Sequence, residues 1–307
     1  MPVYFGRELR CSSSAYLAAI RFVVASRSRP KSTSPGRAGL LPQAASSTRT
    51  NPRLVVLDMS VIQGTGRNSD PAGGDDILIP DRALRELAAK PFDEAAIIIG
   101  KIIYWSKIRN GHLFIGAHPQ DLFRKQARSD GTPLVQDDIV HLPSTERFNT
   151  LDLSSDAALR RFLQNANNGA GATWIADQNE KIMQLCDAFK QFAAEMTLPT
   201  PEAWHEYLSI PDMVCFAQSK AGDYWCPHWV KHLESDEHCI ALIRWLKLIG
   251  RYCLLRARGQ ERGFGDRNNF DDLEYALLAS YTESLKSRDK GQILAARSLF
   301  PWVRVIS

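Results

Sequence analysis

An α/β fold with a parallel sheet is predicted for this 307-residue chain by three observations. The run "LVVLD", Leu54–Asp58, is short, rich in Val and bounded by an acid, as a buried strand should be. The last forty residues alternate helix-like and strand-like segments, the order that builds parallel sheets. Between these ends, apolar residues recur at intervals of three and four, the period of amphipathic helices.

In order, "PRLVVLDMSVIQ" holds the first strand, and "GTGRNSDPAGGDD" has the composition of a loop. "ILIPDRALRELAAKP" adds a brief apolar entry, Pro80 at a helix start and Pro91 as its stop. From Phe92 the chain reads mainly helical, in "DEAAIIIGKIIYWSKI", "DAALRRFLQNA", "NEKIMQLCDAFKQFAAEM", "PEAWHEYLSIPDMVCFAQ" and "HCIALIRWLKLIGRYCLLRA". A short strand in "HLFIGA" and a polar excursion at 118–154 interrupt it. The end predicts a helix from Phe270 to Tyr281, a strand at Glu283–Ser287, a helix from Asp289 to Leu299 and a strand in "WVRVIS". The expected organisation is a disordered basic extension at 1–50, the first part of the α/β core at 51–91, a helical insertion or fused helical region at 92–265, and the rest of the core at 266–307.

Charge is unevenly placed. Residues 1–53 hold nine Arg or Lys against Glu8 alone, leaving 29 basic and 33 acidic residues, net −4, for 54–307. The basic balance therefore belongs to the extension, whose Ser, Arg, Pro and Gly content predicts disorder. Its apolar patch "AYLAAIRFVVA" is short, interrupted by Arg21 and without a clear small-residue cleavage site, unlike a secretory signal. No uncharged apolar run reaches the length of a membrane span. Six scattered cysteines without a C-x-x-C pair fit a reducing cytoplasm better than a disulfide scaffold.

Chemistry is sought where parallel sheets place it, at the carboxyl ends of the strands. Asp58 ends the first strand and Asp289 follows a later one. Asp271 and Asp272 open the helix between, and all of these acids reach one edge if the two strands are neighbours. Each also has a local reading: Asp58 as a turn cap, Asp289 as a helix N-cap, and Asp271, Asp272 and Glu274 as acids favoured by a helix dipole.

"VVLDMS", "IPDRALREL" and "DDLEYALLASYTESLKSRDKG" together resemble the three motif regions of PIN-domain nucleases. These are a strand ending in Asp, a helix bearing Glu, and a helix-opening Asp followed by a strand ending in S/T-x-D. The resemblance covers 54–88 and 268–307. It implies a three-layer α/β/α PIN-like core with a central parallel sheet, and an acidic cluster of Asp58, Glu86, Asp272 or its neighbour Asp271, and Asp289, supported by Ser60 and Ser287. It further implies hydrolytic cleavage of RNA, less often DNA, dependent on Mg²⁺ or Mn²⁺ and leaving a 5′-phosphate. About 180 residues separate Glu86 from Asp272, far more than in the small toxin-like members, so the likeness is to a core carrying a large, mainly helical insertion. An antitoxin-like protein partner stays open.

The residue types suit that chemistry without the family name. Hard dications prefer oxygen ligands, and carboxylates crowded into one cleft repel each other unless a cation neutralises them. Such a cation activates water for in-line attack on phosphorus. Glu86 is the weakest member, because on a helical wheel it falls opposite Leu84, Leu87 and Ala88 and beside Arg82, on a face expected to be solvated.

Two other patterns compete. "WCPHWVKHLESDEHC" sets Cys226, His228, His232, His238 and Cys239 at spacings that bind zinc, although interleaved Trp225 and Trp229 suit packing equally. Basic and aromatic residues in "GKIIYWSKIRNGH" and "IRWLKLIGRYCLLRA", and Arg256, Arg258, Arg262 and Arg267 ahead of the acidic motif, fit phosphate and base contacts. Amphipathic helices with snorkelling side chains produce the same pattern. The alternative function is a catalytically silent module that binds RNA or protein through its helical region.

Overall fold

The structure is a computed structural model that describes residues 53–109, 112–128, 134–143, 155–167, 241–257 and 272–307, with Thr200, Ala203, Trp204 and Leu208. The extension at 1–50, the Cys226–Cys239 constellation, Asp271, Arg258, Arg262 and Arg267, the helix expected at 179–196 and most of that at 201–218 lie outside the described residues.

Strand β1 (Leu54–Leu57) is buried along its whole length, which accounts for its unbroken apolar run. A short helix not signalled by the sequence pattern, α1 (Met59–Gly64), follows it directly. The apolar entry before Pro80 is strand β2 (Asp76–Ile79), and Pro80 and Pro91 stand as the N-cap residues of α2 (Asp81–Ala88) and α3 (Phe92–Ile108). Pro suits a helix start because an N–H there has no intrahelical partner to lose. Next come β3 (Leu113–Gly116), α4 (Pro119–Arg128), β4 (Val140–Pro143), α5 (Asp156–Asn167) and α6 (Ala241–Ala257). The described chain ends with α7 (Leu273–Thr282), β5 (Ser284–Lys286), α8 (Lys290–Leu299) and β6 (Arg304–Ile306).

The strands form one sheet in the order β4-β3-β2-β1-β5-β6. Five of them, from β3 to β6 through β1, run parallel, and β4 pairs antiparallel with β3. Strands β3 and β4 arise within 92–265, so the sheet draws part of its core from the stretch expected to be a helical insertion.

Helix α7 explains the apolar "LEYALLAS": Leu273 to Ser280 are all buried. It packs on β1, β5, α6 and α8, and a helix covered on several sides needs apolar residues all round. Glu283 ends it in the left-handed region at φ 60°, which turns the chain straight into β5. Helix α3 packs on both α1 and α2, whereas α6, α7 and α8 form a second group. No helix among the described residues is long and apolar enough to cross a membrane.

Candidate acidic site at the carboxyl edge of the sheet

The chain leaves β1 for β2 on one side and returns on the other as β5. At such a switch a parallel sheet places its site at the carboxyl ends of the strands, and there Asp58 directly follows β1 and Asp289 lies three residues after the end of β5. Backbone pairing joins the two strand ends, because Asp58 N–H donates to the Lys286 carbonyl at 3.0 Å.

Asp58 stands at the N-cap of α1, yet its side chain makes no capping hydrogen bond. Its carboxylate, 3% exposed, instead accepts at Oδ2 from Ser60 Oγ at 2.5 Å and Ser287 Oγ at 2.7 Å. Ser287 is fully buried and also accepts from Asp289 N–H at 3.0 Å. Its single hydroxyl proton goes to the closer, charged acceptor. The Gln292 side-chain amide, 3.3 Å away, is then oriented to donate rather than accept.

Asp289 is both a site acid and a local cap. Its Oδ1 accepts from Gln292 N–H at 2.9 Å, so one of its oxygens serves the first turn of α8. Asp272 stands at the N-cap of α7 without capping it through its side chain. Burial pushes its carboxyl up to about 8, and the negative charges of Glu86, Asp58 and Asp289 push the same way, against the pull of Arg82. The four acids therefore share one electrostatic field.

Glu86 does not stand on a freely solvated face. The side of α2 that carries it faces α7: the Tyr275 hydroxyl donates to Glu86 Oε1 at 3.0 Å, Arg82 Nε lies 3.2 Å from the same oxygen, and the Glu86 side chain is 23% exposed. Arg82 and Arg85 are themselves buried. A helical wheel treats arginines as solvent markers and so misplaces this face.

Glu274, named from sequence only as a first-turn acid, is the buried tie between α2 and α7. It accepts from Arg85 Nη2 at 2.6 Å and from Arg82 N–H at 3.0 Å, with Arg85 and Glu274 side chains 6% and 2% exposed. Burial pushes Glu274 up to about 7 despite the attraction of Arg85. This tie holds the first turn of α7, and with it Asp272 and Tyr275, against the helix that carries Glu86. Sequence reading missed Tyr275, Arg82 and Arg85; the available signal was an acid inside an otherwise apolar helix, which requires a buried cation.

Carboxylate oxygens, such as those of these four acids, are the donor type that hard dications take. Their spacing is looser than a ligand cage, since no three His, Cys, Asp or Glu among the described residues stand together closely enough to hold a metal ion.

Several side chains of the basic helices are committed inside the protein. Lys247 and Arg251 are buried, and the Arg244 guanidinium lies 4.0 Å over the Tyr281 ring while donating to the Ser280 carbonyl at 2.6 Å. Lys101 donates to the carbonyls of Gln63 and Thr65, and Trp105 Nε1 donates to that of Arg67, securing the loop after α1. These side chains brace the fold. Comparison with family models, with curated proteins and with solved structures finds no match for this chain.

Proposed function

We propose that this protein is a divalent-metal-dependent ribonuclease with a PIN-like three-layer α/β/α core, cutting phosphodiester bonds at the edge shared by β1 and β5. The observation that carries the reading is the Ser287 hydroxyl bridge, which donates to Asp58 and accepts from Asp289 N–H and so joins the two strand ends, beside the buried Asp272 carboxyl on which the charges of Glu86, Asp58 and Asp289 act. The parallel connections run outward from the centre in opposite directions, β1 to β2 to β3 and β5 to β6, and with the right hand general to such connections they would put helices on both faces, as a three-layer core requires.

In this reading Asp58 and Asp289 are direct ligands, with Glu86 and Asp272 completing the set directly or through water. A Mg²⁺ or Mn²⁺ ion held there would neutralise the acids, supply an activated water and stabilise charge on the phosphoryl group. The chain's own contribution is aim. Ser60 and Ser287 fix one oxygen of Asp58, Tyr275 and Arg82 hold Glu86, and the Arg85–Glu274 tie sets the position of Asp272. RNA is the expected substrate, with DNA cleavage as the comparison.

The test is Mn²⁺ calorimetry and cleavage of a labelled single-stranded RNA by the full chain, against Asp58→Asn/Asp289→Asn. Asn remains a good N-cap, so the variant keeps the start of α8. Loss of metal binding, with a fall in cleavage beyond the roughly 10–100-fold of losing an outer-shell partner, supports the reading. Unchanged cleavage by folded, metal-replete variant overturns it.

A second reading, a catalytically silent module that binds RNA or protein, is favoured by the loose spacing of the acids and by the capping duty of Asp289. Wild-type protein that binds RNA without metal and without cleavage would select it.

A further inference from the structure

Arg288 stands in the chain between Ser287 and Asp289, and two features fix its backbone and its guanidinium. Its backbone N–H donates to Ser60 Oγ at 3.2 Å, and that hydroxyl donates to Asp58 Oδ2. Its guanidinium rests on Gly64, the last residue of α1. A Cβ on Gly64 would stand 2.0 Å from Arg288 Nη1, 2.8 Å from Cζ and 3.3 Å from Nη2. Only glycine leaves this seat open.

Arg288 is exposed, and among the described residues no carboxylate pairs with it. Each of the other arginines near the acids is committed, Arg82 to Glu86 and Arg85 to Glu274. An exposed guanidinium against α1, on the residue between Ser287 and Asp289, offers a planar fork to an arriving anion, and phosphate matches that fork with two parallel hydrogen bonds. A polyanionic chain approaching four carboxylates also needs a cation at the entrance to offset repulsion.

We propose that Arg288, seated on Gly64, binds a backbone phosphate next to the bond to be cut and so selects phosphodiester chains as substrates. This rests on the nuclease reading above. Binding that is equal in ground state and transition state appears in KM and leaves kcat unchanged.

The experiment measures kcat and KM on a fluorescein-labelled single-stranded oligoribonucleotide, with salt dependence, for wild type, Arg288→Ala, Arg288→Lys, Gly64→Ala and Gly64→Ala/Arg288→Ala. Removing the charged contact is expected to raise KM about tenfold, keep kcat, and lower the salt slope by about one phosphate contact. Gly64→Ala should raise KM by unseating the guanidinium and should add nothing once Arg288 is gone. Arg288→Lys should recover part of the loss, since a point charge replaces a fork.

Unchanged KM and salt slope in Arg288→Ala would overturn the proposal, as would an equal effect of Gly64→Ala with and without Arg288. If Asp58→Asn abolishes turnover while Arg288→Ala matches wild type, the nuclease reading stands and the Arg288 assignment falls. Wild type that neither binds nor cuts the oligonucleotide would overturn both.

Discussion

Ser287 Oγ lies 2.7 Å from Asp58 Oδ2, joining two strand ends that are 229 residues apart in the chain. The contact is buried on both sides, and Ser60 reaches the same oxygen from the start of α1. The site edge is therefore stapled by hydroxyls to a charged acceptor, bonds stronger than those between neutral groups.

Ser287→Ala should destabilise the protein by about 1–3 kcal/mol, because a buried carboxylate loses a donor while Asp289 N–H loses an acceptor. Urea denaturation measures the loss. In an Asp58→Asn background the same substitution should cost less, since its partner is no longer charged.

The Arg85–Glu274 tie predicts asymmetry between single and double substitution. Arg85→Met leaves Glu274 buried without its cation and should cost about 3–5 kcal/mol, whereas Arg85→Met/Glu274→Leu should recover much of that stability. If the tie positions Asp272, the double variant should remain folded yet cleave RNA poorly. Full activity in a stable double variant would remove the positioning role.

Asp272 and Glu274 set the direction of pH dependence. Their folded carboxyls are lifted from 3.8 to about 8 and from 4.5 to about 7. Between those limits the native state holds protons that the unfolded chain has released. Stability contributed by both groups is full below about pH 4 and is lost as pH rises to about 8. In EDTA, Asp272→Asn should gain on wild type across this window by up to about 5 kcal/mol, since a proton held by the native state alone costs about 1.4 kcal/mol for each pH unit. Thermal melts at pH 5 and pH 8 measure it, and an Asp272→Asn variant that loses ground to wild type as pH rises would contradict the assignment.

Gly116 marks a close approach of β3 to α7. A Cβ there would stand 2.7 Å from Leu278 Cδ1 and 3.4 Å from Pro80 Cα. Gly116→Ala should cost about 1–3 kcal/mol through overpacking. Leu278→Ala in the same chain should relieve part of the clash, so the double variant should be more stable than the sum of the singles implies, by chemical denaturation.

Local patterns carried the parts of the fold that local physics governs. Strand β1 was legible because a strand covered on both faces needs an unbroken apolar run, and α8 because an acid at its N-cap satisfies an N–H three residues on. The places of Asp58 and Asp289 in the fold were legible too, Asp58 directly after β1 and Asp289 just past β5 at the start of α8. Two features were illegible. Strand β4 arose in the stretch read as a polar excursion, and the place of β4 and of the readable strand β3 in the sheet was not legible, since strand pairing is made between segments distant in the chain. The face of Glu86 was settled by Tyr275, 189 residues away, and the Arg85–Glu274 tie spans the same separation. Helical periodicity sees only neighbours a turn or two apart. Which polar residue is buried depends on a partner that only tertiary packing brings within hydrogen-bond reach.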